Sequence, residues 1–425
     1  MNGRMEPEIR FRNNHSDWDR FVIDDVFELR NGYTPSKNVN QYWKNGTIPW
    51  FRMEDIRANG GILFDSIQHI TPQAVKGGGL FVPYSIILAT TATIGVHAMI
   101  IADSLANQRF TNFSIRKSLI AKYDLYFIYY AFYKIDEWSL KNTNSGGLLS
   151  VDIKGLLKQL FFTPSKTEQQ QIASYFKSLD ALIQSTTKKI ASLKQLKYAS
   201  FISMFPQAGE VKPRVRFKGF KEDWKTVPFD IVFRYLKNNT LSRADLNETL
   251  GSARNIHYGD ILIKFRTLID IRKDDLPYIT NHFLANQLIN NCKLQKGDIV
   301  FADAAEDSTV GKCTEIAFIG EEKVVAGLHT IPCRTLFEFS EGYLGFYLNS
   351  PSYHNQLLPL MQGTKISSIS KSALLNTSIS FPTSIAEQRQ IASFFRSLDT
   401  QISLETQRLD KLKQIKSACL DKMFV

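Results

Sequence analysis

The sequence Glu-Gln-Gln-Gln-Ile-Ala-Ser at residues 168–174 returns as Glu-Gln-Arg-Gln-Ile-Ala-Ser at residues 387–393. The match continues through Ser-Leu-Asp in both copies and ends on Met-Phe, at residues 204–205 and 423–424. The offset is 219 residues at both ends (387 − 168 and 423 − 204), so no insertion separates the copies. A length that is kept without insertion indicates one unbroken element in each copy.

Apolar residues in both copies alternate at spacings of four and three, which is typical of a helix packed against another helix. Polar residues interrupt this seam at matching places, Thr186 and Lys197 in one copy and Glu405 and Lys416 in the other. Neither copy contains Pro or Gly before its final Phe, so at ~1.5 Å per residue each helix is on the order of 55–60 Å long. We predict that the two helices are each other's partner. The predicted seam consists of Ile172, Phe176, Leu179, Ile183, Ile190, Leu193, Ile391, Phe395, Leu398, Ile402, Leu409 and Leu412.

The repeat extends beyond the helices. Pro-Glu-Ile-Arg-Phe at residues 7–11 is matched by Pro-Arg-Val-Arg-Phe at 213–217, and Thr-Ile-Gly at 93–95 by Thr-Val-Gly at 309–311. The chain is therefore a duplicated half, a globular unit followed by a long helix. The predicted fold class is α+β, with two mixed α/β domains joined by the long helices. The predicted limits are 1–163 and 207–383 for the domains, and 164–206 and 384–425 for the helical segments.

Composition restricts the possible functions. The net charge of +11 and the pI of about 9.3 fit a nucleic-acid partner without proving one. The four cysteines have no CxxC spacing, which is typical of thiols in a cytoplasmic protein. Residues 81–102 have no formal charge and approach the length of a membrane span. They are rich in β-branched residues, however, and their counterpart in the second half is charged, so we predict two buried strands joined by a turn and no membrane partner.

We find no catalytic motif in the sequence. There is no GxGxxG, and no pair of histidines four residues apart that would hold a metal. We therefore predict no catalytic residues, no metal and no cofactor on this chain. Paired globular units without a reaction centre indicate recognition.

These residues resemble the specificity subunits of type I restriction–modification systems over essentially the full length. The resemblance is carried by the two Glu-Gln-x-x-Ile-Ala helix starts, each followed by Ser-Leu-Asp, and by the Thr-Ile/Val-Gly turn in both halves. Gly-Tyr-Thr-Pro at 32–35, Ile-Pro-Trp at 48–50 and Ile-His-Tyr-Gly-Asp-Ile at 256–261 add to it. The second half lacks the Thr-Pro and Ile-Pro-Trp segments, so the two units resemble different subtypes.

The resemblance implies a non-catalytic chain with two target recognition domains, each reading one half of a split double-stranded DNA site. It implies that the helices form an antiparallel coiled coil with pseudo-twofold symmetry. It also implies docking of two methyltransferase subunits that methylate adenine, together with restriction subunits. S-adenosylmethionine, ATP and Mg are then expected on those partners.

Base reading requires long polar side chains on loops near the groove floor. Glu306 is of particular interest because an acid repels phosphate but accepts a hydrogen bond from cytosine N4. The candidates are Lys37, Arg52, Lys76, Thr91, Gln108, Arg109 and Asn142 in the first domain, and Arg243, Arg254, His257, Tyr258, Arg266, Glu306, Lys312, His329 and Lys365 in the second.

Three alternatives stay open at the level of sequence. The chain could serve a methylation-only complex, since the nuclease would lie on another chain. It could be a coiled-coil scaffold whose globular units bind proteins, which predicts no affinity for DNA. A methyltransferase or nuclease would instead be indicated by S-adenosylmethionine binding to the isolated chain.

Overall fold

The computed structural model describes residues 6–144, 148–363 and 365–425. The chain divides into two compact units. The first comprises Met1–Thr187 together with Gln407–Val425, and the second comprises Lys188–Thr406. Each unit therefore contains one globular half and a part of each long helix.

The two long helices are Lys166–Met204 and Ile385–Lys422, of 39 and 38 residues. In the first unit Phe176 lies against Phe424, with ring centroids 5.8 Å apart, whereas Asp180 pairs with Lys416 further back along the other helix. In the second unit Phe201 stacks on Phe395 at 4.4 Å. Residue numbers rise along one helix as they fall along the other, so the helical segments of each unit pair antiparallel, as the resemblance implied.

The seam positions differ in what covers them. Ile172, Phe176 and Leu179 are buried, and so are their repeats at Ile391, Phe395 and Leu398. All of them except Leu179 belong to the hydrophobic core of a globular half. Ile190 is buried to 9% exposure. The remaining seam positions are half-buried: Ile183, Leu193, Ile402, Leu409 and Leu412.

Both globular halves are built on a five-stranded sheet with the same strand order. In each, a central antiparallel trio is flanked at one edge by a short strand that pairs in parallel. The first sheet runs in the order Phe27–Asn31, Phe110–Ile115, Ser85–Ala89, His97–Ile100, Ile62–Leu63. The second runs in the order Phe233–Tyr235, Thr330–Thr335, Ile299–Ala302, Cys313–Phe318, Leu268–Asp270.

A smaller sheet accompanies each large one, and both small sheets contain a parallel pair that recurs in the repeat. In the first unit its strands are His69–Ile70, Ile48–Phe51 and Leu105–Ala106. In the second they are Leu246–Asn247, Tyr278–Ile279, Arg254–Ile256 and Val324–Ala326. Two-stranded pairs complete the β-structure: Asp19–Val22 with Leu160–Thr163, Thr143–Asn144 with Ser150–Val151, Lys225–Pro228 with Ser378–Phe381, and Ala304–Ala305 with Ser367–Ser368.

The shorter α-helices lie between these strands in the sequence. Those of the first unit are Ile23–Val26, Met53–Asn59, Leu125–Lys141 and Ile153–Leu157. Those of the second are Phe229–Val232, Tyr258–Ile263, His282–Cys292, Tyr343–Leu348, Pro351–Leu357 and Lys371–Leu375.

The uncharged stretch at residues 81–102 contains two buried strands, Ser85–Ala89 and His97–Ile100, that pair antiparallel, which confirms the prediction. The turn between them includes Gly95 at φ 78°, and its repeat Gly311 lies at φ 86°. Among the described residues, no helix has the length and apolarity that crossing a membrane requires.

The aromatic runs at residues 126–130 and 343–347 are helical, and all their residues except the half-buried Tyr126 are buried. Tyr130 of helix Leu125–Lys141 stacks on Phe176 of the first long helix with centroids 4.9 Å apart. Phe346 of helix Tyr343–Leu348 stacks on Phe395 of the second at 5.4 Å. These two helices, here called the aromatic helices, connect each sheet to the long helices.

The Glu-Gln start of each long helix ties its unit together. Glu168 is fully buried and accepts two hydrogen bonds from the Arg10 guanidinium, at 2.7 and 2.8 Å. Glu387 receives the same two bonds from Arg216, at 2.6 and 2.7 Å. The motif that carries the resemblance is therefore part of the scaffold, since it holds the beginning of each globular half against the start of the long helix that follows it.

Candidate functional site

Three backbone hydrogen bonds join four loops at one end of the first unit. Tyr33 donates its N–H to Ala106, Asn107 to Phe51, and Thr90 to Arg109, at 2.9, 3.0 and 2.9 Å. We call the residues that follow these strands, 32–34, 52, 90–91 and 107–109, the first loop face. Gly32 is required there, because a Cβ on it would overlap the carbonyl oxygens of Ala106 and Asn107.

The second unit repeats this frame bond for bond. Asn239 donates to Ala326, Gly327 to Ile256 and Asp303 to His329, at 2.9, 2.8 and 3.0 Å. We call residues 238–239, 257–258, 303 and 327–329 the second loop face. The backbone is shared between the faces, whereas the side chains differ.

Five of the seven predicted residues of the first domain lie on or against the first loop face. Arg52 caps helix Met53–Asn59, and its guanidinium lies 5.9 Å from the centre of the Trp50 ring. Lys76 is exposed, and its ammonium lies 4.7 Å from the Tyr33 ring. The other three are Thr91, Gln108 and Arg109, of which the last two are exposed.

The remaining two residues of that set are placed differently. Asn142 caps the C-terminal end of helix Leu125–Lys141, and its side-chain amide donates to Trp138 at 2.8 Å. Lys37 is exposed on the loop after Thr34-Pro35, and no contact of its side chain with the first loop face is found among the described residues.

In the second unit, four predicted residues form one cluster. Tyr258 lies between two imidazoles, with ring centroids 4.7 Å from His257 and 5.2 Å from His329. Arg243 approaches from a neighbouring turn and donates to Asp260 at 2.6 Å. His257 also accepts the Gly259 N–H at 3.2 Å, so its side chain begins the following helix.

Electrostatics in this cluster are governed by partial burial. Burial lowers the pKa of His257, with the Asp260 carboxylate opposing and the Arg243 cation adding to the effect. Burial also raises the pKa of Asp303, although its pairing with His329 at 3.1 Å opposes the rise. His329 has φ 53°, a left-handed conformation that few non-glycine residues adopt.

Three other candidates have side chains already engaged in the fold. Arg254 lies 4.3 Å from the centre of the Tyr278 ring and donates to the Leu276 carbonyl at 3.0 Å. Arg266 pairs with Asp274 at 3.2 Å. Lys312 is half-buried and donates to the Leu262 carbonyl at 2.8 Å, and burial lowers its pKa.

Glu306 and Lys365 are exposed and lie beside a short strand pair, Ala304–Ala305 with Ser367–Ser368. This pair extends directly from Asp303 of the second loop face. No hydrogen bond or ion pair of the Glu306 carboxylate is found among the described residues, so it is available to a donor from outside the chain.

Sequence reasoning missed three side chains of the loop faces, Tyr33, Asn239 and Asp303. The Tyr33 hydroxyl accepts the Lys76 N–H at 2.8 Å, and Asn239 donates to the Asn255 side chain at 2.8 Å. Their position relative to the loops follows from strand order, for which the sequence carries no local signal. Tyr33 did lie in a quoted motif, but without an assigned role.

The described residues contain no group of His, Cys, Asp and Glu that could hold a metal ion. Cys292, Cys313 and Cys333 are buried and unpaired, and Cys419 is half-buried. Burial raises the pKa of Cys292 and Cys313, which disfavours the reactive thiolate. What the loop faces offer is hydrogen bonding, cationic charge and aromatic surface.

A family model described as the type I restriction modification DNA specificity domain matches residues 15–195 and 221–414. The chain is 49% identical over 142 residues to the type I restriction enzyme EcoprrI specificity subunit of Escherichia coli, covering 33% of this chain and 35% of that protein. It is 32% identical over 195 residues to the MjaIX specificity subunit of Methanocaldococcus jannaschii, covering 44% of each. The chain thus matches less than half the length of these relatives.

Solved structures share the fold. The type I restriction–modification S subunit from M. genitalium aligns with a TM-score of 0.60 at 14% identity, over 99% of both chains. A chain from work on complex assembly and conformational transition of the type I R-M system aligns at 0.58 and 13% identity, over 96% and 97%. At these identities the likeness concerns the fold alone, and it confirms the predicted fold class.

Proposed function

Because the chain belongs to the family of type I restriction modification DNA specificity domains, we propose that it is the DNA-recognition subunit of a type I restriction–modification enzyme. Each unit reads one half of a bipartite double-stranded DNA site. The observation that carries the proposal is the loop frame built twice with different side chains. Two equal frames with unequal side chains are suited to an asymmetric target.

The first loop face presents cations and amides. Arg52 follows strand Ile48–Phe51, and Gln108 and Arg109 follow strand Leu105–Ala106; the Asn107 N–H donates to the Phe51 carbonyl and so joins the two strand ends. Arginine donates two hydrogen bonds to guanine O6 and N7, and glutamine matches adenine N6 and N7. Lys76, beside Tyr33, is placed to neutralise a phosphate.

The second loop face combines His257, Tyr258 and His329 with Arg243, and Glu306 lies next to it. This face is less cationic, since Arg243 is paired with Asp260. Glu306 suits a cytosine N4 donor, and Lys365 a phosphate. Arg254, Arg266 and Lys312 contribute less to reading, because their charged groups are engaged within the unit.

The long helices fix the distance between the half-sites in this proposal. A helix of 39 residues is ~58 Å long, whereas one turn of B-DNA advances about 34–36 Å. A helix longer than one turn of B-DNA is suited to a split target with a gap between its halves. The gap in the target is then a property of the helices and not of the loops.

The proposed partners are two methyltransferase subunits, which dock on the long helices, and restriction subunits. This chain has no catalytic role in the proposal. Methylation of adenine with S-adenosylmethionine, and ATP- and Mg-dependent cleavage, belong to the partner subunits. The internal repeat supplies two equivalent docking surfaces, which fits two identical partners.

The test is a map of methylated adenines in cells that carry this chain with its partners. We expect one split motif in the parent, an altered first half in Arg109→Ala, and an altered second half in His329→Ala. The two substitutions replace equivalent residues of the two loop faces, so each variant is the control for the other. A change in both halves from either substitution, or methylation without a split motif, would refute the proposal.

A further inference from the structure

At least three charge pairs join the long helices among the described residues. Lys189 with Glu405 is one of them, and its lysine is 56% exposed; the other two pairs are more buried at their lysines and repeat each other. The first charge pair joins Asp180 to Lys416 at 2.6 Å, and the side chains are 33% and 18% exposed. The Tyr130 hydroxyl of the aromatic helix donates to the other Asp180 oxygen at 2.8 Å. Lys416 also lies 5.7 and 5.6 Å from the ring centres of Tyr130 and Tyr133. One pair therefore contacts three helices.

The second charge pair, Lys197 with Asp399, repeats this arrangement in the second unit. Both side chains are 21% exposed. The Lys197 ammonium lies 5.4 Å from the centre of the Phe201 ring and 5.8 Å from that of Phe346 on the second aromatic helix. Lys197 and Lys416 are two of the polar residues that interrupt the apolar seam in the sequence.

Each long helix carries the same charge pattern, an aspartate followed 17 residues later by a lysine (197 − 180 and 416 − 399). In antiparallel pairing, both aspartates meet lysines. A parallel arrangement would instead place Asp180 near Asp399 and Lys197 near Lys416, with like charges together.

The pattern discriminates register as well. A slip of seven residues keeps an apolar seam in contact, because the seam itself has that period. The same slip would place Lys197 opposite Ala392 or Thr406, neither of which carries a charge. A partly buried lysine without its carboxylate would then be left between aromatic rings, which is unfavourable.

We propose that the four residues of the first and second charge pairs are positioning residues. They set the orientation and register of the long helices, and they orient each aromatic helix against the long helices. Leucine at Lys197 and Lys416 would extend the apolar seam, and leucine at Asp180 and Asp399 would remove the carboxylates that pair with these lysines. A polar residue at such a position lowers stability but specifies one partner arrangement. The inference concerns folding, and it does not rest on the proposed reading of DNA.

The experiment is a double-mutant cycle on the full-length chain. Lys197→Asp and Asp399→Lys each place like charges together. We expect each to lower the ratio of folded to unfolded protein at equilibrium by a factor of about ten or more. The double exchange restores opposite charges, so we expect it to recover to within about threefold of the parent. Hydrogen exchange of helix Tyr343–Leu348 should follow the same order. Lys194→Asp is the matched control, since Lys194 is exposed on the same helix and undergoes the same charge change.

A second variant separates specificity from stability. With all four residues of the two pairs replaced by leucine, we expect an unfolding midpoint as high as that of the parent or higher. Sedimentation of this variant should show several masses, because a seam with fewer polar interruptions accepts other partners and registers. The proposal would be overturned if the double exchange lost as much stability as its two single variants lose together. It would also be overturned if the all-leucine variant showed a single mass and the same hydrogen-exchange protection as the parent.

Discussion

Replacing Arg10 by methionine tests how the beginning of the first unit is held. The Glu168 carboxylate is fully buried, and the Arg10 side chain is 11% exposed. The Arg10 guanidinium pairs with that carboxylate through both oxygens. Removing one partner of a buried pair leaves an uncompensated charge and costs about 3–5 kcal/mol. We therefore expect Arg10→Met to lower the stability of the first unit by that amount.

The assay is hydrogen exchange of the full-length chain, read on peptides from the start of each long helix. A loss of 3–5 kcal/mol corresponds to a fall in protection of about 10² to 10³-fold or more. The fall should be confined to residues 166–176, because Glu387 of the second unit has its own partner in Arg216. Replacing Arg10 and Glu168 together by apolar residues should recover most of the loss, since no charge is then left unpaired.

Arg214→Ala is the matched control. Arg214 pairs with Glu210 at 2.7 Å, but its side chain is 62% exposed, so the expected cost is only about 0.2–1 kcal/mol. The reasoning would be refuted if Arg10→Met cost no more than Arg214→Ala. Equal loss of protection in both units would also refute it.

Burial raises the pKa of Glu315 to about 7 from an ordinary value of 4.5. The folded protein is therefore most stable below pH 4.5, where Glu315 is neutral in both states, and it loses stability as the pH rises from 4.5 to 7. We expect the stability difference between the parent and Glu315→Met to shift by about 3 kcal/mol in favour of the variant across that window, measured by urea unfolding at several pH values, and no shift would contradict the assignment. Gly32→Ala should abolish recognition of the first half-site alone in methylation mapping, whereas Gly78→Ala, where a Cβ meets nothing closer than 3.8 Å, should not. Glu306→Ala should relax the preference at one base of the second half-site, and a uniform loss of binding across sequences would show that Glu306 does not read a base.

Elements with a strong local period were predictable from the sequence. The long helices begin and end within three residues of the limits of the predicted helical segments, because their apolar spacing is not interrupted by Pro or Gly. The strands Ser85–Ala89 and His97–Ile100 were predictable from an uncharged stretch rich in β-branched residues. In all of these, the information lies in residues that are close in sequence.

Contacts between distant residues were not predictable in the same way. Arg10 and Glu168 were both in quoted motifs, but 158 residues separate them and nothing local indicates that they pair. Lys197 and Lys416 were visible only as breaks in the seam, since their carboxylate partners lie on the other helix.

The candidate base-reading residues were chosen by chemical type and loop position. Strand order brings some of them together, as with His257 and His329 around Tyr258. It leaves others, such as Arg254, paired inside the fold. The sequence reports which residues have suitable chemistry, whereas the sheet topology decides which of them share a surface. Their roles in reading DNA stay predictions.

The loop faces are held by main-chain bonds to strand ends, and not by the side chains at their tips. Arg109 in one unit and His329 in the other occupy the same place without altering the frame around them. We therefore expect substitution at such a place to have little effect on folding while it changes the surface that the loop face presents. If the proposed function holds, an architecture of this kind lets the recognised sequence change through the loop faces, with the rest of the fold left as it was.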